Sequence, residues 1–343
     1  MVAILGACQA STAGASHAPA ASGTASSGAT GSPTIAPSTC VAPQTPGDRP
    51  QPGNLLGKLD RGRILFGIEG AGGTASGTFA YAVIDASGLH VTTTDDWTMA
   101  RAIWAPGGGI LFDSSRNDDR HLFRSALDGS SLVQLTNDLR GAEYAAAFIG
   151  PDHLVFTHWS CSDERDLGLH TANADGSGIA DLTPDHPVGS PLSDDQPTVS
   201  PDGRTIVFVR YSVNDDSAGG LFSVPATGGT ATRLTPDATG TSYPRFSPDG
   251  RWILFTQQVA SGDEALWLEP ATGGQPRQLT SLPAGTAAFE ADWSPDGSEI
   301  VTKEHQPTDG PANELHVLKA DGTGDQLLWR GKLSTAESPD WGP

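Results

Sequence analysis

The phrase Ser-Pro-Asp-Gly followed by a short apolar run begins at Ser200, Ser247 and Ser294, at an interval of 47 residues. Repetition on this scale constrains a fold before any other feature does, because each copy is one supersecondary unit that needs its neighbours to bury it. The apolar run extends to six copies: Ile64–Phe66, Ile110–Phe112, Leu154–Phe156, Ile206–Phe208, Ile253–Phe255 and Ile300–Thr302, spaced by 46, 44, 52, 47 and 47 residues. Ahead of five of them stands a large apolar residue and then a turn, as in Trp104-Ala105-Pro106-Gly107, Phe148–Asp152, Val199–Gly203, Phe246–Gly250 and Trp293–Gly297. Ser, Pro, Asp and Gly in that order suit a type I turn between antiparallel strands, with the proline ring presetting φ at its second position.

After each run comes a further strand, ending in Ser-Gly at Tyr81–Gly88 and in Asp-Gly or Gly-Gly at Leu122–Gly129, Leu169–Gly176, Leu221–Gly229, Leu266–Gly274 and Leu315–Gly322. The glycines supply the positive φ that tight hairpins need. A fourth strand follows, carrying Leu-Thr at Leu135, Leu182, Leu234 and Leu279. Each unit therefore reads as a four-stranded antiparallel meander. One such sheet cannot bury both faces, but six set radially bury one another, so the chain is predicted to be an all-β, six-bladed β-propeller. Its first unit lacks the leading turn, while Pro339–Pro343 matches Ala291–Pro295 at an offset of 48 residues. The C-terminal strand is therefore predicted to complete the first blade and close the ring, which leaves no major sheet edge unpaired.

Composition agrees: 42 Gly, 26 Pro and only 17 % charged residues in 343 make a chain of turns, poor in residues for long surface helices. A formal charge of −20 excludes nucleic acid as a partner, since a polyanion would be repelled over most of the surface. Residues 11–52 are almost wholly Ala, Gly, Ser, Thr and Pro, a tract too poor in apolar surface to offset its chain entropy. The organisation read from sequence is thus an N-terminal apolar segment over 1–8, a tether over 9–54 and the propeller over 55–343.

The repeat units resemble the PD40 repeats of TolB-like six-bladed propellers over about Leu55 to Pro343. TolB itself acts in the periplasm by binding partner proteins, and it carries an α/β domain where this chain has its tether. The resemblance implies a propeller that binds rather than catalyses. Leu5-Gly6-Ala7-Cys8 resembles the lipobox of bacterial lipoproteins, which implies acylation of Cys8, export and a membrane anchor by lipid alone. The lack of a basic segment before it places the expected start further upstream. In an exported chain Cys40 and Cys161 are a candidate disulfide.

Catalytic motifs are sparse. No G-x-S-x-G occurs, and Gly70–Gly73 is read as a loop because no βαβ unit surrounds it. Oligogalacturonate lyases, related propellers, hold a metal in the channel through histidines. Here His121, His170 and His316 fall in third strands and His153 and His158 flank a second strand, and all are read as hydrogen-bonded sheet residues. Glu143, Asp194, Asp195, Glu290 and Glu337 are the candidate binding residues, expected near one mouth of the channel, where carboxylates can take Ca²⁺ or a basic segment of a partner. A second series, Asp119, Asp166, Asp216, Glu264 and Glu314, is read as turn acceptors for backbone N–H groups. Trp104, Trp293 and Trp341 are read as core, and Trp97, Trp159, Trp252, Trp267 and Trp329 as candidates for a stacking surface.

The expected function is that of a non-enzymatic, monomeric scaffold presenting loops and a channel mouth to an envelope protein or a small ligand, without an obligate cofactor. The alternative is a polysaccharide lyase or glycosidase-like propeller using a channel-bound metal and the same carboxylates as acid and base.

Overall fold

The computed structural model describes residues 52–70, 79–92, 99–117, 119–137, 141–160, 167–183, 192–212, 219–235, 240–305, 314–331 and 334–343. These are strands and turns, with no helix among the described residues. Six antiparallel blades follow one another round a ring. Blade I runs outward as Ser334–Gly342, Arg63–Gly70, Phe79–Asp85 and Gly88–Thr92. Blade II has Met99–Trp104, Ile110–Asn117, Asp119–Ser125 and Val133–Gln134, and blade III has Gly141–Ile149, His153–Ser160, Leu167–Asn173 and Ala180–Asp181. Blade IV comprises Leu192–Val199, Thr205–Ser212, Gly220–Pro225 and Thr232–Arg233; blade V comprises Ser242–Phe246, Trp252–Gln258, Glu264–Pro270 and Arg277–Gln278. Blade VI has Ala287–Trp293, Glu299–His305, Glu314–Lys319 and Gln326–Arg330. The first-named strand of each blade touches its counterpart in the blades on either side, all the way round. As predicted, the C-terminal strand closes the ring, pairing Trp341 with Ile64 and Asp340 with Leu65.

The core lies between blades. In each repeated apolar run the alternation of a strand sends the middle residue to one neighbour and the outer two to the other. Ile64 and Phe66 pack with Val301, Leu315 and Trp329 of blade VI, whereas Leu65 packs with Ile110, Phe112 and Phe123 of blade II. The same exchange recurs at the remaining blade junctions.

The turns behave as their residues dictate. Gly203, Gly250 and Gly297 donate their N–H groups to the carbonyls of Ser200, Ser247 and Ser294 over 2.8 Å. Each serine hydroxyl donates to the turn aspartate and accepts the N–H of Thr205, Trp252 or Glu299. The Leu-Thr pairs have a defined task too. Thr136, Thr235 and Thr280 turn their hydroxyls onto the N–H groups of Leu122, Leu221 and Leu266, replacing a ladder bond where the short fourth strand leaves the sheet.

Two aromatic expectations separate here. Trp293 and Trp341 are core, at 6 % and 5 % exposed. Trp329, expected among the stacking candidates, is fully buried: its ring meets Phe66 edge-on at 5.2 Å and its Nε1–H donates to the Pro52 carbonyl over 3.0 Å. The reason is an added edge strand, Asn54–Leu55, which pairs with Arg330 and Trp329 and covers blade VI. Trp97 lies outside the described residues.

Candidate binding site in the central channel

Each innermost strand carries a β-bulge, and at each bulge stands a non-glycine residue with positive φ: Arg101, Ala145, Gln196, Tyr243, Glu290 and Ser338, at φ between 43° and 56°. Such a conformation is costly for residues other than Gly, Asn and Asp, and a bulge re-aims the side chain that bears it. All six stand three positions before the large apolar residue that precedes the turn. The backbone is thus repeated while the side chains differ: one arginine, one alanine, one glutamine, one tyrosine, one glutamate and one serine.

Neighbouring members stitch the ring together. The Tyr243 N–H donates to Gln196 Oε1 over 2.6 Å, and the Ser338 N–H donates to Glu290 Oε2 over 2.7 Å. Arg101 instead reaches across the axis. Its guanidinium carbon lies 5.5 Å from the ring centre of Tyr144 in blade III and 5.9 Å from that of Tyr243 in blade V. Blade V is diametrically opposite blade II, so Arg101 occupies the axis itself. Burial works against its charge, but the surrounding Tyr243, Asp195, Asp113 and Glu290 hold it protonated more firmly than usual. Among the described residues no hydrogen bond or ion pair engages this guanidinium.

The carboxylates expected at one channel mouth have separate fates, set by their distance from the bulge. Glu143 and Asp194, five positions before the apolar residue, point between blades. Glu143 is fully buried and accepts from His121 Nδ1 at 2.6 Å, His158 Nδ1 at 3.0 Å and the Thr136 hydroxyl. Burial alone would raise its pKa, but the two imidazoles outweigh it and hold the carboxyl below its ordinary value. Asp194 takes both Arg210 Nε at 2.6 Å and Nη2 at 2.8 Å. Asp195 and Glu290 reach the axis. Asp195 accepts from Thr157 Oγ1 and the Gln196 N–H, and burial raises its pKa despite Arg101. Glu290 lies 3.7 Å from Lys303 Nζ, and although burial opposes its charge, Lys303 keeps it ionised. Glu337 pairs in strand register with Gly67, and its side chain, like Cys8, Cys40 and Cys161, lies outside the described residues.

Nearer the turns, the inner strands carry a different group. The Trp341 N–H donates to Asp292 and the Trp104 N–H to Asp340, each from the next blade, while Arg245 Nε lies 4.0 Å from Asp292. Burial, reinforced by Asp340, pushes Asp292 up to about 7. Two members of the second acidic series are described as partnered otherwise than expected or not at turns at all: Glu314 is 1 % exposed and binds the side chains of His316 and Arg330 rather than backbone N–H groups. Glu264 lies within a strand and is raised by burial.

Arg101, Gln196, Tyr243 and Lys303 were not among the sequence candidates. The signal for the first three was present in the repeat alignment, at the fixed position before the apolar residue. A search confined to acidic residues passes over it.

No family model matches the chain, and no curated protein matches it. Solved structures do. TolB from Acinetobacter baumannii is 18 % identical, covers 84 % of this chain and 68 % of its own, and gives a TM-score of 0.63. A chain of a nidogen/laminin complex is 9 % identical over 82 % of this chain and 99 % of its own, with a TM-score of 0.60. An oligogalacturonate lyase from Vibrio parahaemolyticus is 14 % identical over 79 % and 73 %, with a TM-score of 0.51. At these identities the likeness is one of fold, and the fold hosts both binding proteins and an enzyme.

Proposed function

We propose that the protein is a non-catalytic, TolB-like binding scaffold of the cell envelope, and that its central channel takes a carboxylate-bearing ligand or partner terminus through Arg101. The observation that carries this reading is the Arg101 guanidinium, set on the axis between the rings of Tyr144 and Tyr243. A planar guanidinium offers paired donors that match a carboxylate, and aromatic faces beside it suit the apolar body of a ligand. The channel carboxylates support binding over acid–base chemistry. Glu143, Asp194 and Glu290 are each matched to an internal cation or imidazole, which leaves these carboxylates occupied.

The test is calorimetric titration with two probes, short peptides with free or amidated C-termini and oligogalacturonate. Expected is saturable binding of a free-carboxylate probe, lost in Arg101→Ala and absent for the amidated peptide. Binding that survives Arg101→Ala overturns the assignment of the anchor. Turnover of oligogalacturonate to an unsaturated product makes the protein a lyase and overturns the scaffold reading.

A further inference from the structure

We infer that blade VI carries a divalent-metal site, separate from the channel, formed by Glu304, His316 and Asp325. His316 sits in the third strand with both ring nitrogens facing carboxylates. Nε2 lies 3.1 Å from Glu314 Oε2, while Nδ1 lies 2.9 Å from Asp325 Oδ1 and 3.6 Å from Glu304 Oε2. The other oxygen of Glu314 is held by Arg330. This backing is what distinguishes the group from a cluster of acids. A carboxylate that accepts a hydrogen bond from one imidazole N–H fixes the tautomer, makes the ring more basic and aims the second nitrogen as a ligand.

That second nitrogen points where two further donors already converge. The three ligand atoms lie within 4.8 Å of one another. Donors about 2.0–2.2 Å from a tetrahedral zinc ion stand about 3.5 Å apart, and the two distances from Nδ1 bracket that separation. Strand register explains the convergence. Glu304 pairs with Glu314 and Thr302 with His316, so Glu304, Glu314 and His316 share one face of the blade, and Asp325 enters just before the fourth strand.

Charge points the same way. Glu304 and Glu314 are 3 % and 1 % exposed, so two of the carboxylates that face His316 are held away from solvent. A divalent cation between Nδ1 and the Asp325 and Glu304 carboxylates would offset their negative charge. One nitrogen and two oxygens suit a borderline ion such as Zn²⁺, whereas Ca²⁺ prefers six to eight oxygens. The Asp325 side chain, 47 % exposed, leaves an entry from solvent.

Isothermal titration of the chelator-treated full chain with ZnCl₂ tests the site. Expected is one site per chain, weakened at least tenfold in His316→Ala and in Asp325→Asn, weakened about 10- to 100-fold in Glu314→Gln, and unchanged in the exposed control His153→Ala. Asp325→Asn changes a half-exposed side chain, so it reports on binding even if His316→Ala folds poorly. A wild-type chain without a zinc site, an Asp325→Asn variant that titrates like wild type, or Ca²⁺ binding as tight as Zn²⁺ would each overturn the inference.

Discussion

Two rings in this molecule repeat at blade spacing, and they treat sequence in opposite ways. In the Ser-Pro-Asp-Gly hairpins of blades IV, V and VI both backbone and residues recur, down to the serine hydroxyl that closes the turn. At the bulges of the inner strands the backbone recurs six times with six different residues. The hairpin ring specifies the fold, so its chemistry is fixed by the turn. The bulge ring holds side chains on the axis, where the fold asks only for a conformation, and there the residues are free to differ.

The largest effects should come from residues that close the ring. Trp341→Ala empties a site that is 5 % exposed, on the strand that joins the chain ends, and should cost about 3–5 kcal/mol in urea denaturation. A loss below about 1 kcal/mol would show that closure does not depend on it. Two turn glycines, Gly176 after the third strand of blade III and Gly203 in the Ser-Pro-Asp-Gly hairpin of blade IV, sharpen the comparison. At Gly176, φ is +86° and an added Cβ would stand 1.8 Å from the Leu135 carbonyl of the previous blade, so Gly176→Ala should cost more than about 2 kcal/mol. At Gly203, φ is +71° but nothing lies within 4 Å, and alanine should cost about 1 kcal/mol, the conformational part alone. Equal losses at the two sites would mean that packing between neighbouring blades contributes little.

A pH profile examines the inner strands near the turns. The Asp292 carboxyl is raised from 3.8 to about 7, so it favours the fold in its protonated form. Its contribution is full below pH 3.8 and is lost as the pH rises to about 7, with Glu269, also raised to about 7 by burial, acting in the same direction. Asp292→Asn should flatten part of that decline and melt above wild type at pH 8. An unchanged profile in the variant would place the titration elsewhere. The smallest effect is expected at Ala145, where glycine relieves a φ of 51° but frees the unfolded chain, leaving a net change within about 0.5 kcal/mol.

The propeller was legible because its signals are local and repeated. Apolar alternation sets which blade each residue of Ile64–Phe66 meets, and the turn residues carry their own dihedral preferences. The site was legible only in part. Glu143 and Asp195 lie near the same bulge position, yet one step of strand alternation separates a residue matched to two imidazoles from one facing Arg101. A bulge resets that alternation, and nothing in the composition of the inner strands announces it. Arg101 illustrates the cost: its partners Tyr144 and Tyr243 are on other blades, and the pairing across the axis exists only once the ring has closed. The burial of Trp329 was hidden for a related reason, since the strand that covers it comes from the opposite end of the chain.

The central claim is that the bulge ring carries function rather than stability. Equilibrium unfolding of Arg101→Ala beside wild type tests it most directly. The account predicts a loss clearly smaller than that of Trp341→Ala, confined to the buried Asp195 and Glu290 carboxylates that lose a neighbouring cation, because the six blade junctions are intact without that side chain. A loss comparable to that of Trp341→Ala would make Arg101 a rivet across the axis and contradict it.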